Sequence, residues 1–316
     1  MTGIGTQICH PWRPRFVLRL REALDYAVFG LKASGSQILF YFYTNVDYPI
    51  VGYYFGDHAL GLYKWAYEVV LEPVRIISEV VKDVAFVAFS RLKYDRPRLV
   101  DQFLMLSRLN LLTVTSYLAF VVIVASELNA AVFGDKFAGS EAAIAVLAVV
   151  GVFRAMSYVV PPLLDGMGYP GRTLIYQTVA AVLLPALYWL AAELLGDRLG
   201  MLSVACAWAI GYPLAFAVLA MIGLAAIDMR AADYLRRVGG IPLCVAASMV
   251  IGIVVHHIAG ALPAGAHLAV VAAAMFGPLA LLLARTQGIT PAAIARAVRG
   301  DPAAPTSPTP ADSEPR

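Results

Sequence analysis

Runs of about 20 apolar residues long enough to cross a bilayer constrain this chain more than any other feature, and eight of them can be marked. They fall at 26–54, 60–89, 104–126, 141–164, 174–195, 200–227, 240–259 and 266–284. The wider composition agrees: 60% of the 316 residues are hydrophobic and 14% charged, and mean hydropathy is +0.73. Ordinary soluble domains hold roughly 45–50% apolar residues. The fold expected is therefore an all-α integral membrane protein of about eight transmembrane helices. A net charge of +3 is too small to suggest nucleic acid as a partner.

Orientation follows from the basic residues. Arg13, Arg15, Arg19 and Arg21 precede the first span; Arg91, Lys93, Arg96 and Arg98 follow the second; Arg172 follows the fourth; Arg230, Arg236 and Arg237 follow the sixth; Arg285, Arg296 and Arg299 follow the eighth. The intervening loops carry only Lys136 and Arg198. By the positive-inside rule both termini are expected in the cytoplasm. The N-terminus lacks the continuous apolar core of a signal peptide. Residues 1–25 read as a cytoplasmic linker that includes either a helix lying in the interface or a plain basic flank. Residues 26–227 read as a six-helix transmembrane bundle, 228–284 as two additional helices, and 285–316 as a Pro-rich, largely disordered cytoplasmic tail. Cys9, Cys206 and Cys244 lie far apart without metal-ligand spacing, and the adjacent His256 and His257 point about 100° apart on a helix, a poor metal pair. No metal or cofactor is expected.

One segment breaks the apolar pattern. In "YKWAYEVVLEPVRIISEVVKD" (63–83), Lys64, Glu68, Glu72, Arg75, Glu79 and Lys82 fall within a helical arc of roughly 80°. The spacing allows pairing of Lys64 with Glu68, Glu72 with Arg75, and Arg75 with Glu79. A charge at membrane depth costs roughly 2.5–3.5 kcal/mol on insertion scales, so the stripe is expected to face a polar cavity or paired partners. A purely structural ion-pair ladder is the competing reading. Pro73, inside the stripe, is a candidate hinge because it lacks an N–H. Arg154, near the middle of the fourth span, is a candidate for binding phosphate or for pairing with Glu68, Glu72 or Glu79. Asp47, the lone carboxylate in the first span, is a candidate partner of Arg75 or Lys64, or an ion-coupling site.

The stretch "NVDYPIVGYYFGDHALGLYKWAYEVVLEPVRII" resembles bacterial polysaccharide flippases of the MATE-like, oligosaccharidyl-lipid and polysaccharide exporter superfamily. The matching positions are Asp47, Gly52, Gly56, Leu60, Gly61, Tyr63, Ala66 and Pro73. "VAFVAFSRLKYD", "LLDGMGYPGRT" and "RPRF" are also similar to that family, and the resemblance covers about residues 12–227. It implies export of a polyprenyl-diphosphate-linked oligosaccharide across the inner membrane for surface or exopolysaccharide synthesis. Family members have two helical bundles, and these spans look like the second bundle plus two extra helices of a fourteen-helix member. The resemblance therefore implies a piece of a longer transporter or a chain that works with a separately encoded N-terminal half or other synthesis machinery. Under it Lys64, Arg75 and Arg154 contact the anion, Glu68, Glu72 and Glu79 hold them and line the cavity, and Asp47 couples to an ion gradient. No enzymatic step is required, and no phosphate-binding P-loop motif occurs. Two alternatives are a drug or cation antiporter of the same superfamily, favouring a carboxylate-lined pocket, and a membrane-embedded glycan polymerase or acyltransferase. The second alternative calls for a large outer loop or a His/Asp constellation, which the sequence lacks.

Overall fold

The computed structural model describes residues 20–260 and 262–287. Most of the linker before the first span and of the C-terminal tail, including "RPRF", lies outside them. The described chain is all-α, an integral membrane protein built of eleven α-helices and one 3₁₀ turn. Helices α1 (Leu20–Tyr43), α2 (Asp47–Leu92), α3 (Arg96–Ile123) and α4 (Ala125–Phe133) are followed by the 3₁₀ turn Gly134–Phe137. Then come α5 (Glu141–Ser157), α6 (Val160–Gly166), α7 (Pro170–Leu199), α8 (Leu202–Ala226), α9 (Ala231–Val238), α10 (Gly240–Ile258) and α11 (Ala264–Gln287). Six described segments are long and apolar enough to span a membrane: Arg96–Ile123, Glu141–Gly166, Pro170–Leu199, Leu202–Ala226, Ala231–Ile258 and Gly265–Thr286. They coincide with the third to eighth spans marked in the sequence. Large apolar side chains such as Leu194, Ile210, Leu243 and Val250 remain on their outer surfaces, where lipid is the natural solvent.

Local chemistry sets the boundaries. The Asp95 side chain accepts from Arg98 N at 3.3 Å and caps α3, with proline in its first turn. Pro161 and Pro162, without N–H groups, sit in the opening turn of α6 and separate it from α5. Pro170 opens α7 in the same way.

The first two helices depart from the spans expected at 26–54 and 60–89. The chain turns at 44–46, and Asp47 begins α2. Thr44 Oγ1 donates to Phe40 O (2.7 Å) and Asn45 Nδ2 to Tyr41 O (2.8 Å), so polar side chains satisfy the carbonyls that end α1. The Asp47 carboxylate accepts from Tyr48 N (3.1 Å), and Pro49 occupies the first turn of α2, where a missing donor costs nothing. Within α2 the backbone leaves helical geometry at Gly56 (φ 79°, ψ 177°). The part from Asp57 to Leu92 is then on the order of 50 Å long at 1.5 Å per residue, longer than the roughly 30 Å hydrocarbon core.

Pro73 does not break the helix: the non-helical residue inside α2 is Gly56. Proline removes the bond to the carbonyl four residues back, here that of Val69. Tyr117 Oη of α3 donates to Val69 O at 2.6 Å and replaces it. The carbonyl freed at Pro73, the candidate hinge, is thus held by a side chain of α3.

Two apolar clusters hold the bundle. The larger runs through α1 to α9, with Val70, Leu71, Val74, Leu111, Leu147, Leu184 and Leu219 in its centre. Across it, Asn110 Nδ2 donates to Ala155 O (2.8 Å) while Ser78 Oγ donates to Asn110 Oδ1 (3.2 Å), tying α2, α3 and α5 together. Such interhelical hydrogen bonds are the usual polar glue where lipid removes the hydrophobic drive. A second cluster joins the far half of α3 (Ala119, Ile123) to Ile241 and Val245 of α10 and Val271 and Met275 of α11. Helices α10 and α11 form an antiparallel hairpin: Cys244 and Thr286 approach at one end (3.4 Å), His256 and His267 at the other (3.0 Å). The basic loops gather at one end of the molecule, where Arg96 pairs with Asp228.

Candidate functional site

The charged stripe of α2 forms a ladder along the helix. Lys64 Nζ lies 3.7 Å from Glu68, Arg75 Nε donates to Glu72 Oε2 (2.9 Å), and Arg75 Nη1 donates to Glu79 Oε2 (2.9 Å). A cation three or four residues from a carboxylate faces it on a helix, which is why the sequence spacing carried this much. The ladder is open on one side: Lys64 retains 60% of its side-chain surface, Glu68 53% and Arg75 36%.

Lys64, Glu68, Glu72, Arg75, Glu79 and Arg154 all line one cavity of about 980 Å³. Its other wall is α1 with the turn that follows it, which contribute Gln37 and Tyr41, and Thr44 and Asn45, respectively. A second cavity, of about 250 Å³, continues toward the basic loops and shares Gln37, Phe40 and Glu79 with the first. It is lined further along by Lys82, Asp165, Thr173 and Gln177. The α1–α2 seam is therefore a polar track running along the bundle.

Arg154 forms the floor of the larger cavity. It lies in the last turn of α5 and is 2% exposed. Its Nη1 donates to Tyr67 Oη at 2.8 Å, and its guanidinium sits 5.6–5.9 Å from the ring centres of Phe40, Tyr67 and Trp208. Aromatic faces attract a desolvated cation by about 2 kcal/mol. Among the described residues no ion pair joins Arg154 to Glu68, Glu72 or Glu79, the pairing expected as one alternative. Its Nε has no hydrogen-bond partner among them either. A buried cation without a contacting carboxylate is costly, and here the Tyr67 hydroxyl and three aromatic rings are what face it.

Asp47 lies at the turn that starts α2, fully buried. Oδ2 accepts from Tyr63 Oη (2.7 Å) and Trp208 Nε1 (3.0 Å); Lys64 and Arg75, the partners expected, pair instead with glutamates. Trp208 stacks on Tyr188 (5.1 Å, 23°) and Tyr212 (5.5 Å, 27°), and Tyr212 Oη meets Ser157 Oγ at 2.8 Å. Trp208 thus touches both the buried carboxylate and the buried guanidinium. This aromatic lining was not singled out in the sequence. The signal available was tyrosine inside apolar spans, as at Tyr176, Tyr188 and Tyr212, since a buried hydroxyl or indole N–H ordinarily requires a partner.

Part of the chain is similar to known proteins. The family model described as "Polysaccharide biosynthesis protein" matches residues 1–142. The teichuronic acid biosynthesis protein TuaB of Bacillus subtilis (strain 168) is 33% identical over 145 residues, 46% of this chain and 30% of that protein. An uncharacterized membrane protein in the cps region of Klebsiella pneumoniae is 26% identical over 195 residues, 60% of this chain and 39% of that protein. The lipopolysaccharide biosynthesis protein WzxC of Escherichia coli (strain K12) is 25% identical over 146 residues, 46% of this chain and 30% of that protein. The matched stretch spans about a third of the length of these relatives. No solved structure gives a significant match. Residues 1–142 thus resemble the polysaccharide biosynthesis proteins, and the helical membrane bundle is similar over part of its length to relatives named for teichuronic acid and lipopolysaccharide biosynthesis.

Proposed function

We propose that this chain takes part in moving a polyprenyl-diphosphate-linked oligosaccharide across the bacterial inner membrane for surface or exopolysaccharide synthesis, with both termini in the cytoplasm. One observation carries the reading: six ionisable side chains of α2 and α5 face a single groove, with Arg154 desolvated at its floor. A diphosphate needs fixed cations, a glycan needs hydrogen-bonding walls, and the polyprenyl tail needs only lipid alongside. Arg75 and Arg154 supply planar donors suited to a phosphate, and Lys64 a point charge at the open end. Glu68, Glu72 and Glu79 orient those cations, and with Gln37 and Asn45 offer partners for sugar hydroxyls. The task is binding and reorientation, with no covalent step.

The groove lies between α1 and α2 over Arg154 and is open on its remaining side. More than half of the Lys64 and Glu68 side-chain surface remains open, which supports a facing helical bundle that completes the cavity. That bundle belongs either to the same longer polypeptide or to a separately encoded partner. The likeness of part of this chain to lipopolysaccharide and teichuronic acid biosynthesis proteins supports a lipid-linked sugar over a small cationic drug.

The test uses cells that depend on this chain for surface polysaccharide. Arg75→Ala and Arg154→Ala are expected to abolish polymer output while the protein stays in the membrane fraction. Normal output from both variants removes the anion-site assignment. Asp47→Asn is expected to eliminate any dependence of export on the proton or sodium gradient. A gradient dependence unchanged in that variant removes Asp47 from coupling.

A further inference from the structure

Away from the groove, at the end of the bundle opposite the basic loops, three helix ends converge. Glu127 stands in the first turn of α4, His256 in the last turn of α10 and His267 in the first turn of α11. One ligating atom of each lies within 4.8 Å of the others. Glu127 Oε1 is 3.5 Å from His256 Nε2 and 3.6 Å from His267 Nε2, and His267 Nε2 is 3.0 Å from His256 Nδ1. For a tetrahedral zinc site with metal–ligand bonds of roughly 2.0–2.1 Å, neighbouring ligand atoms stand about 3.3 Å apart. The two Glu127–histidine distances are near that spacing, and with one ligand atom taken from each residue the set lies within 4.8 Å, so a bound ion would draw the His256 and His267 rings closer.

Hydrogen accounting points the same way. Ala259 O, an acceptor only, lies 3.0 Å from His267 Nδ1, so in the neutral ring Nδ1 carries the hydrogen and Nε2 presents a lone pair. His256 Nδ1 must then be the donor in the bond between the two rings, which leaves His256 Nε2 unprotonated as well. Ser126 Oγ donates to Glu127 Oε2 at 2.9 Å and turns Oε1 toward the histidines. The His256 Nε2 lone pair and the Glu127 Oε1 oxygen thus face each other at 3.5 Å with no N–H between them, while the His267 Nε2 lone pair accepts from His256 Nδ1. A bound cation resolves that arrangement. Outer contacts of this kind, a carbonyl on one imidazole and a hydroxyl on the carboxylate, are those that orient ligands in metal sites.

We propose that Glu127, His256 and His267 bind a divalent transition metal ion of the zinc type, with water completing the coordination, and that the ion clasps the α10–α11 hairpin to the end of α3 and α4. Nitrogen and oxygen donors in this number suit zinc or cobalt and not magnesium or calcium. His267 is nearly buried, at 5% exposure, and His256 and Glu127 are partly so, which limits competition from bulk water. His257, next in sequence, is turned away: its Nδ1 meets Ile253 O at 2.8 Å and serves as an internal control.

The experiment uses the full chain in detergent, stripped with a chelator and titrated with Zn²⁺ by calorimetry and with Co²⁺ by visible absorption. The expected result is one ion per chain, a tetrahedral Co²⁺ spectrum and a Zn²⁺-dependent rise in the unfolding temperature. Glu127→Gln, which keeps the shape of the site, and His267→Ala each weaken binding by more than about tenfold, while His257→Ala leaves it unchanged. Absence of saturable binding, or binding that survives Glu127→Gln and His267→Ala, overturns the proposal. Thermal stability that follows pH but not Zn²⁺ assigns the cluster to a shared proton and overturns it equally.

Discussion

At the scale of single residues, the polar atoms inside this bundle are spent on repairing its backbone as well as on the groove. Tyr117 is the clearest case, because its hydroxyl occupies the carbonyl that Pro73 leaves free. An unmet buried acceptor costs about 1–3 kcal/mol. Tyr117→Phe is therefore expected to lower unfolding stability by about 1–2 kcal/mol in the otherwise native protein. In a Pro73→Ala background the alanine N–H restores the helical bond to Val69, so the same change is expected to cost clearly less. Chemical denaturation of the four proteins measures the coupling. Equal losses in both backgrounds would show that Tyr117 acts by packing alone. The cycle also separates the clamp from a hinge, since a working hinge at Pro73 would make Pro73→Ala alter export while leaving the Tyr117 effect untouched.

At the scale of elements, the turn at 44–46 and the break at Gly56 decide where Asp47 and the α2 ladder stand relative to α1. Gly56 adopts φ 79° with open space where a Cβ would lie, so the cost of a side chain there is backbone strain alone. Gly56→Ala is expected to destabilise by about 1–2 kcal/mol, whereas Gly61→Ala, helical and equally uncrowded, should be neutral or slightly stabilising. Equal effects in thermal unfolding would refute the strained break. Gly223 presents the other constraint, close approach: a Cβ there would collide with Val160 Cγ1 where α8 crosses α6. Much of this architecture was legible in the sequence. Six spans declared themselves by length and hydropathy, and the ladder by its helical spacing. The turn was not, because Thr44, Asn45 and Asp47 are few polar residues between long apolar flanks, and their hydrogen bonds are local. The Asp47–Trp208 bond was not either, since 161 residues separate its ends and neither neighbourhood shows a period that points to the other. Spacing along one helix can be read from a sequence; which aromatic ring from a distant helix reaches a buried carboxylate cannot.

At the scale of the whole molecule, the two apolar clusters divide the labour. The groove, its ladder and the Trp208 stack all belong to α1–α9, while α10 and α11 rest on the far half of α3 through their own small cluster. In water, removing the hairpin would expose Ala119 and Ile123 and be costly. In a bilayer those side chains exchange helix for acyl chain, which is just as apolar, and only packing is lost. Tyr234 and Val238 of α9 pack in the larger cluster, so the natural boundary lies after Val238. A chain ending at Val238 is accordingly expected to insert, to resist protease as the longer chain does, and to keep the near-ultraviolet dichroism of the Tyr188–Trp208–Tyr212 stack. It should also lose the zinc response, because two of the three proposed ligands are gone. Loss of the aromatic signal in that chain would mean that the hairpin supports the core itself, and the bundle and its two additional helices would have to be treated as one unit.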